Sequence, residues 1–565
     1  RGIVSQIICG SPVGQTDPTT AIGAYVMGLA FGFGWTPCVG PILAAILFPR
    51  HGAEPVLSPV HPLLSRARLT ANLPFIADGI EDPGERARGL YEMGAVLRNA
   101  AFSPNIRDRL DFSCAIFDAV GDLCAQAAHI PVHLGSMAYA MRSIVNRVSW
   151  SPGDTLVFND PYLGGTHLPD VTLVSPVFLD DRLQAFVANR AHHADIGAES
   201  PGSMPISSSL EQEGLVLEPA FLIRNGEWNT ALREKIAGSA RRPDESLGDF
   251  SAQVSANLAG SQRLEGLVGK MHACSFQHAV DHLNDYGETL ARQMVTGIPD
   301  GEYSFTDVLD DDGIGDSGIP LNLTLTVDGE RCHLDFSGTA AQVQGNVNCP
   351  LSVTAAGVFY VFRCLMPPQT PSCAGIFRPI TLSAPEGSLL NARFPAAVAA
   401  GNVETSTRVV DLVCGALAQA IPDSIPAASH GSMNNLAMGA NGERAWDYYE
   451  TIGGGMGASQ LGDGLDAVQT HMTNTLNTPI ESLEMMYPLR IRRYAFRTDS
   501  TGRGRHDGGE GLHRRERDRH VVDRAEVLLA AVEVGGVERG PGLRLGGVAG
   551  QAGELHRHRG LAGAV

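Results

Sequence analysis

Two short polar segments of the sequence carry the residue types that bind metal ions. Residues 159–170 read NDPYLGGTHLPD and contain His167 and Asp170, and residues 191–197 read AHHADIG. Imidazole nitrogens and carboxylate oxygens are ligands of Zn, Mn and Fe(II), and two histidines with one carboxylate leave positions open for water and substrate. The pattern predicts a divalent metal site, with polar residues satisfied inside loops as the structural alternative.

The second segment supplies two adjacent histidines, His192 and His193. Successive side chains of a strand point to opposite faces, so only one of the two rings can face the same side as His167 and Asp170. One of them would complete the metal site, and the other would orient or protonate a substrate.

Another pair of histidines, His129 and His133, has the i, i+4 spacing of one helix face, but Pro131 between them speaks against a continuous helix. The H-E-x-x-H pattern of zinc proteases is not present here. We expect the pair either to line a substrate pocket, where they would be catalytic, or to have a structural role.

A further polar segment, GNVETSTR, places Asn402, Glu404 and Arg408 close together in the sequence. An arginine fork can bind a substrate carboxylate with two hydrogen bonds, so we predict these residues as substrate-binding, with a surface ion pair as the alternative. Weaker candidates of the same kind are His471, Glu481 and Glu484.

The elements that must position these residues are a mixture of helices and strands. Helical spacing of apolar residues appears at 92–101 and 412–421, and the alternating LNLTLTV at 321–327 predicts a hairpin with 331–336 across an Asp-Gly turn. Further strands are predicted at 113–118, 156–158, 171–178 and 185–188. Regular strand–helix alternation is missing, so the expected fold is mixed α+β with several domains.

Both ends of the chain differ from this central part. Residues 21–48 are uncharged and apolar, long enough for a transmembrane helix, and resemble one helix of the thiol transporters of cytochrome c biogenesis. We interpret residues 1–50 as a fusion or assembly join, with a membrane anchor as the alternative, and 51–91 as a linker. Residues 506–565 form an Arg- and Gly-rich tail that we interpret as an out-of-frame translation, with a basic anion-binding tail as the alternative.

Composition limits the kinds of partner. The net charge of −19 argues against nucleic acid, since phosphate binding needs basic surfaces. The ten cysteines lack C-x-x-C spacing, as expected of reduced thiols in a cytoplasmic protein. The sequence has no G-x-x-x-x-G-K-[ST] motif, and the glycines at 453–457 stand outside any βαβ pattern, so we expect no nucleotide site in this chain.

The segments FNDPYLGGTHLPDVTLVSPVF and VANRAHHADIGAESPGSMP resemble the signature of the hydantoinase B/oxoprolinase family. Further matching stretches, among them LDFSGTAAQVQGNVNCP, AGNVETSTRVVD and HMTNTLNTPIESLEMMYPLRIRRY, follow in family order. They predict one catalytic domain over residues 92–505. That family includes the B-type component of N-methylhydantoinase, the C-terminal half of 5-oxoprolinase and large subunits of ketone carboxylases.

The resemblance implies a divalent ion, Mn, Zn or Fe, held by His167, Asp170 and His192. It also implies a hetero-oligomer in which a hydantoinase A-type subunit binds ATP and Mg²⁺. The small-molecule substrate would be a cyclic amide such as 5-oxoproline or a hydantoin, hydrolysed by a metal-activated water with His193 or Asp195 as proton relay. Carboxylation of a ketone such as acetone or acetophenone is the alternative; a membrane thiol–disulfide protein and a non-catalytic scaffold are the interpretations from other classes.

Overall fold

A computed structural model of the chain describes residues 84–127, 130–271, 273–367, 370–440, 445–518, 527–531 and 544–545. Its helices, numbered along the chain, are α1 Gly84–Ala100, α2 Pro104–Arg107, α3 Pro131–Val145, α4 Thr230–Ser239, α5 Pro243–Met271, α6 Ala273–Thr296, α7 Leu351–Leu365, α8 Ser406–Ala420 and α9 Ile480–Met486. Its strands are β1 Phe112–Asp118, β2 Leu123–Ala127, β3 Thr155–Phe158, β4 Asp170–Leu179, β5 Arg182–His192, β6 Ala220–Arg224, β7 Glu227–Trp228, β8 Gly301–Asp311, β9 Ser317–Asp328, β10 Arg331–Asp335, β11 Ile380–Ser383, β12 Asn435–Ala440, β13 Trp446–Thr451, β14 Leu489–Arg497, β15 Gly511–Asp518, β16 Val527–Ala531 and β17 Arg544–Leu545.

The largest sheet has seven strands in the order β2-β1-β5-β4-β3-β6-β7, and every neighbouring pair is antiparallel. Helix α3 covers one face of this sheet, where Met137 and Met141 pack with Phe117 and Phe158. Helices α1 and α5 cover the other face, where Leu97 and Leu264 lie in a second cluster. Because both faces are covered, β1 is buried along its whole length, which explains its nearly continuous apolar run.

A second sheet has the order β11-β10-β9-β8, with α8 packed against β8 and β9. One face of β9 is buried through Leu321, Leu323, Leu325 and Val327, as the alternating sequence predicts. The predicted hairpin is present, but its turn is shifted by one residue. Arg331 pairs with Asp328, so the two central turn residues are 329 and 330, with a positive φ of 59° at Gly329.

The chain after β11 builds two further sheets. One has the order β13-β12-β16-β17, and the other consists of β14 and β15. The predicted mixed α+β class is confirmed by this arrangement, as are the predicted strands around the metal motif. The helix predicted at 92–101 begins earlier, at Gly84, inside the segment interpreted as a linker.

The strand pair β14–β15 carries the fold past the predicted domain end at residue 505. Gly511 pairs with Arg497, and the Arg514 side chain on β15 is buried against the Glu450 carboxylate of β13. The apolar segment 21–48 lies outside the described residues. Within the described ranges, no helix combines the length and apolar character required to cross a bilayer.

Candidate metal centre

The antiparallel register of β4 and β5 brings the two polar segments together. Asp170 is the first residue of β4 and lies directly opposite His192, the last residue of β5. Three residues before β4, the loop 159–169 presents His167 to the same point. The central strands of the largest sheet therefore place three candidate ligands from two separate segments of the sequence at one strand end.

The ligand atoms of these three residues lie within 4.8 Å of one another. Asp170 Oδ1 is 3.3 Å from His167 Nε2 and 3.1 Å from His192 Nδ1. All three side chains are at most 3% exposed. Among the described residues, this is the one group of His, Cys, Asp and Glu side chains with three ligand atoms so close.

Close backbone packing shapes the loop that carries His167. Gly164 has a φ of 101°, and a Cβ atom at Gly165 would lie 2.4 Å from the Asn159 carbonyl oxygen. The Asn159 side chain closes the loop by donating from Nδ2 to the Leu168 carbonyl at 2.8 Å. The glycines of the motif are therefore needed to fold the loop back on itself ahead of Asp170.

A network outside the ligands fixes their orientation. His167 Nδ1 lies 3.1 Å from the carbonyl oxygen of Ala399, which leaves Nε2 directed at Asp170. The Glu213 carboxylate fixes the segment that carries the Ala399 carbonyl, because it accepts hydrogen bonds from the backbone N–H groups of Val398 and Ala399. Such partners set the tautomer and ring orientation of a metal-binding histidine.

His133 also lies at this centre, in the first turn of α3, which starts at Pro131. Its Nε2 is 3.2 Å from Asp170 Oδ2, and its Nδ1 is 3.1 Å from the Ser113 hydroxyl. Thr166 donates to the same oxygen of Asp170 at 2.6 Å. His133 thus contacts Asp170 Oδ2, whereas His167 and His192 lie beside Oδ1. His129, which was predicted together with His133, lies outside the described residues.

A small cavity of about 20 Å³ adjoins the three ligands, which is room for about one ion or water. Charged, polar and apolar groups from other parts of the chain complete its wall: Asp111, Ile130, Val132, His133, Asn402, Val403, Met433, Tyr449, Thr451, Met472 and Thr473. The Tyr449 ring stacks on His192, with 4.6 Å between ring centres.

Burial and mutual attraction set the charge states of these groups. Burial lowers the pKa of His192, which favours the neutral imidazole that binds metal. Burial also lowers the pKa of His167, but Asp170, the Ala399 carbonyl and Glu213 together raise it by more, so the result lies above the usual value. Burial would raise the pKa of Asp170, yet His167 and His133 hold it well below its usual range, so the carboxylate is ionised.

Two buried polar atoms at the centre have no hydrogen-bond partner, His192 Nε2 and Asn402 Oδ1. Leaving such an atom unpaired in the interior costs about 1–3 kcal/mol. Asn402 Oδ1 is therefore a buried oxygen available to a polar partner, whereas His192 Nε2 is the ring nitrogen opposite the Nδ1 that lies beside Asp170. The donor set of two imidazoles and a carboxylate suits Zn, Mn or Fe(II). The residues present therefore fit the predicted divalent ion.

His193 and Asp195 do not reach this cavity. His193 points to the other face of the sheet, where its Nε2 lies 2.9 Å from Gln253 Oε1 and its ring packs on Phe250. Asp195 pairs with Arg241 at 3.0 Å. Both residues line a separate small pocket with Glu245, Asp249 and Asp447. The expectation that only one of the two adjacent histidines faces the ligands is met, and that residue is His192.

Of the predicted substrate-binding residues, Asn402 alone lines the cavity. Glu404 is half-buried, and its Oε1 accepts from the Ser432 hydroxyl at 2.7 Å. Arg408 pairs with Asp307 at 3.0 Å and with Asp411 at 3.3 Å, so the predicted substrate fork is occupied by an internal ion pair.

The weaker candidates also lie outside the cavity. His471 Nε2 lies 3.4 Å from Asp411 Oδ1. Glu484 accepts from the backbone N–H of Ile491, and Glu481 is an exposed residue in the first turn of α9.

Several residues of the centre are not predicted from the sequence. Thr166, next to His167, could have been found from its place in the motif. Tyr449, Met433 and Met472 lie more than 200 positions further along the chain in ordinary apolar or polar surroundings, and no local pattern singles them out.

The sequence matches the model of the Hydantoinase B/oxoprolinase family over residues 88–563. It is 41% identical to an uncharacterised protein of Methanocaldococcus jannaschii over 431 residues, 75% of each chain. Identity to 5-oxoprolinase 1 of Arabidopsis thaliana is 36%, covering 80% of this chain but 37% of that protein. Identity to a protein of Pseudomonas sp. named as the putative B-type component of a D-/L-hydantoinase is 33%, over 74% of each chain.

Solved structures show the same fold. The ATP-dependent caprolactamase of Pseudomonas jessenii superimposes with a TM-score of 0.71 at 26% identity, over 77% of each chain. An acetone carboxylase superimposes with a TM-score of 0.70 at 16% identity, over 80% of this chain and 65% of that one. The matched family range runs through the pair β14–β15 and beyond residue 505.

Proposed function

Because the chain belongs to the hydantoinase B/oxoprolinase family, we propose that it is the metal-bearing catalytic subunit of an ATP-dependent hydrolase of cyclic amides. The substrate class would be 5-oxoproline and hydantoins. The observation that carries the proposal is the buried group of His167, Asp170 and His192 beside a small cavity. Three protein ligands with an open position are typical of catalytic rather than structural metal sites.

The chemistry requires activation of an unreactive bond. A cyclic amide resists water because its carbonyl is stabilised by resonance with nitrogen. ATP-dependent phosphorylation of the carbonyl oxygen would make the ring carbon electrophilic. A divalent ion bound by this chain would supply Lewis acidity and a nucleophilic water at neutral pH.

The residues of this chain would hold and orient the reacting groups. The ionised Asp170 and the two imidazoles would bind the ion, and His133 with Thr166 would keep Asp170 in place from its other oxygen. The stacked Tyr449 and the apolar walls at Val403 and Met472 would restrict bulk water. His133 lies nearest to the ligands among the predicted catalytic residues, but its two ring nitrogens are engaged by Ser113 and Asp170, so we assign it the positioning of Asp170.

We propose that ATP and Mg²⁺ bind to a separate hydantoinase A-type subunit. The chain spans 37% of the length of 5-oxoprolinase 1, and it matches the B-type hydantoinase component of Pseudomonas sp. over 74% of both chains. Its sequence has no phosphate-binding motif of the G-x-x-x-x-G-K-[ST] type. The functional assembly would therefore be a hetero-oligomer.

The test is to reconstitute the chain with a hydantoinase A-type subunit and to supply 5-oxoproline, N-methylhydantoin, or acetone with bicarbonate. We expect ADP release coupled to ring opening of a cyclic amide, and no ring opening with Asp170→Asn. Glu211→Gln, at an exposed position, is the control. Carboxylation of acetone without ring opening of any amide would contradict the proposed reaction, and ATP turnover that ignores all these substrates would contradict an enzymatic role.

A further inference from the structure

A second group of polar side chains lies beside the metal cavity. The segments 403–404, 432–433 and 471–472 each place an apolar residue in the cavity wall, and each carries a polar residue next to it in the chain. Those polar residues are Glu404, Ser432 and His471. Because the three segments meet at one cavity, their polar side chains form a layer directly beside it.

Ion pairs extend this layer onto helix α8. His471 Nε2 lies 3.4 Å from Asp411 Oδ1, and Arg408 Nη1 lies 3.3 Å from Asp411 Oδ2. Arg408 also pairs with Asp307 of β8 at 3.0 Å, and its Nη2 donates to the Gly431 carbonyl at 3.4 Å. The guanidinium is therefore held between two carboxylates, which balance its charge.

The two neighbours of Gly431 complete the group. The Ser432 hydroxyl donates to Glu404 Oε1 at 2.7 Å, and on the other side of the glycine His430 Nδ1 lies 3.5 Å from the Thr470 hydroxyl. We call the whole set the α8 polar cluster, and it consists of Glu404, Arg408, Asp411, His430, Ser432 and His471.

The glycine-rich segment 453–457 packs against this cluster. A Cβ atom at Gly454 would lie 2.4 Å from Cγ of the His430 ring, and the backbone N–H of His430 donates to the Gly455 carbonyl at 3.0 Å. The glycines allow the loop to approach the imidazole closely. They therefore shape the α8 polar cluster and not a nucleotide site.

Several buried polar atoms of the cluster have no hydrogen-bond partner in the chain: both ring nitrogens of His471, His430 Nε2, Asp411 Oδ2 and Arg408 Nε. His471 is 7% exposed and Asp411 is 9% exposed. His471 also has a left-handed φ of 55°, which a residue with a side chain adopts only at a cost in free energy. Unpaired donors and acceptors are thus available at one place to a polar ligand.

The exposure and the charge of the cluster limit the kind of ligand. Glu404, Arg408, His430 and Ser432 are half-buried, so the cluster reaches the surface of the protein. Burial lowers the pKa of His430 to about 4, so this ring is uncharged near pH 7. An anionic ligand would approach carboxylates while the sole arginine of the cluster is already paired, and such a like-charge approach is unfavourable.

An uncharged amide suits the same place. It presents an N–H donor and a C=O acceptor side by side. The Asp411 carboxylate would accept from that N–H, and a ring N–H of His471 would donate to that C=O. The apolar part of the ligand would pack on Met433 and Met472 of the adjoining cavity wall, since methionine side chains adapt to irregular apolar shapes.

We propose that the α8 polar cluster is the subsite that binds the uncharged far edge of a cyclic substrate, with His471 and Asp411 as specificity-determining residues. The inference rests on the proposed function and narrows its substrate class. When the scissile amide of a hydantoin faces the metal centre, the ring still offers a second N–H and C=O to the cluster. The ring of 5-oxoproline carries a carboxylate there instead, so hydantoins are the preferred substrates.

The experiment measures ligand binding by the zinc-loaded full chain, using titrations followed by saturation-transfer NMR. The ligands are hydantoin, 5-oxoproline and 5-oxoprolinamide, the last of which replaces the carboxylate of 5-oxoproline by an uncharged amide. The variants are His471→Asn, because asparagine tolerates a left-handed backbone, and Asp411→Asn, which removes one negative charge. Elemental analysis and circular dichroism show whether each variant keeps its metal and its fold.

The chain offers matched controls for both changes. His333→Asn alters an exposed histidine on β10, and Asp154→Asn alters a buried aspartate that pairs with Arg224 at 2.7 Å. Both residues lie outside the α8 polar cluster. We expect neither control to change the affinity for any of the three ligands.

We expect the wild type to bind hydantoin and 5-oxoprolinamide at least about tenfold more tightly than 5-oxoproline. His471→Asn should weaken hydantoin binding about tenfold, the effect of one or two hydrogen bonds, while its metal content stays unchanged. Asp411→Asn should reduce the difference between 5-oxoprolinamide and 5-oxoproline about tenfold. If His471→Asn is not folded, the comparison of these two ligands in the wild type and in Asp411→Asn decides.

Three results would overturn the inference: binding of 5-oxoproline by the wild type as tight as that of 5-oxoprolinamide, wild-type hydantoin affinity in both folded variants, or no binding of hydantoin at millimolar concentration. Failure of the proposed function is a different result. It would appear as the expected pattern of binding without ring opening in the reconstituted pair.

Discussion

Asp170 and His192 are direct cross-strand partners in the antiparallel pair β4–β5, and the Asp170 carboxylate lies 3.1 Å from the His192 ring. The register of this pair decides which histidine reaches the candidate metal centre. A slip of one residue would exchange the two faces of β5 and present His193 instead. The buried contacts of both rings, His192 on Tyr449 and His193 on Phe250, lock the observed register.

Removal of a ligand should abolish metal binding. We expect His167→Ala and Asp170→Ala each to reduce bound metal from about one ion per chain to near zero, because either change removes one of three buried donors. Elemental analysis of the purified chain measures this. His193→Ala should keep its metal, since that ring faces Gln253. Full occupancy in both ligand variants would refute the site.

Gly401→Ala should disturb the same centre through the backbone. The added Cβ would overlap the Asn348 carbonyl, so the turn that carries Asn402 must shift. We expect a loss of about 1–3 kcal/mol in the free energy of unfolding and weaker metal binding. Gly238→Ala on α4, with open space around its Cα, is the control and should be neutral or slightly stabilising. Unchanged metal affinity in a folded Gly401→Ala protein would contradict the importance of this turn.

Glu213 should make stability depend on pH. Burial raises its pKa to about 7, above the usual value of 4.5, so it favours the folded state below pH 4.5 and loses that contribution as the pH rises towards 7. Glu213→Gln cannot ionise but can still accept from Val398 and Ala399. Its stability relative to the wild type should therefore improve between about pH 5 and 8, on the order of 1–3 kcal/mol, since one pKa unit corresponds to about 1.4 kcal/mol.

Denaturant unfolding of metal-stripped protein at several pH values tests this prediction. Glu211→Gln, two residues away and exposed, should follow the wild-type pH dependence. If the difference in the free energy of unfolding between wild type and Glu213→Gln were the same at every pH, Glu213 would have the same pKa in the folded and the unfolded chain, which would contradict the prediction.

Arg514 should be essential for stability, although it lies in the region interpreted from sequence as an out-of-frame tail. Its guanidinium is 2.9 Å from the fully buried Glu450 carboxylate. Removing one partner of a buried pair leaves the other charge uncompensated, so Arg514→Ala should cost about 3–5 kcal/mol in thermal or denaturant unfolding. Arg503→Ala, whose pair with Asp507 is at the surface, should have no measurable effect. Equal stability of the two variants would argue against a structured β15.

The centre of this protein was largely predictable because its motif is local. His167 and Asp170 are three residues apart in a glycine-rich loop, and a short loop followed by a strand confines such side chains to one place whatever the rest of the fold. Strand alternation likewise required that only one of His192 and His193 join them. The strands and helices around the motif were predicted from apolar runs in the sequence. A strand that is buried on both faces of a sheet contains few polar residues, so it appears in the sequence as a nearly continuous apolar run.

Other assignments needed three-dimensional information. Glu404 and Arg408 lie close to Asn402 in sequence, but their partners, Ser432 and Asp307, come from distant segments. The sequence alone does not distinguish a charged side chain that binds a substrate from one that pairs with an internal counter-ion.

The sequence by itself determined the family, the mixed class of the fold and the two polar segments that carry the candidate ligands, because each is recognised from patterns within short stretches of the chain. Tertiary structure decided which histidine faces the ligands, that His133 and Asn402 join them, and that His193 and Asp195 do not. The physical reason is that strand register and the packing of α3 and the turn before α8 bring together atoms that no local spacing connects.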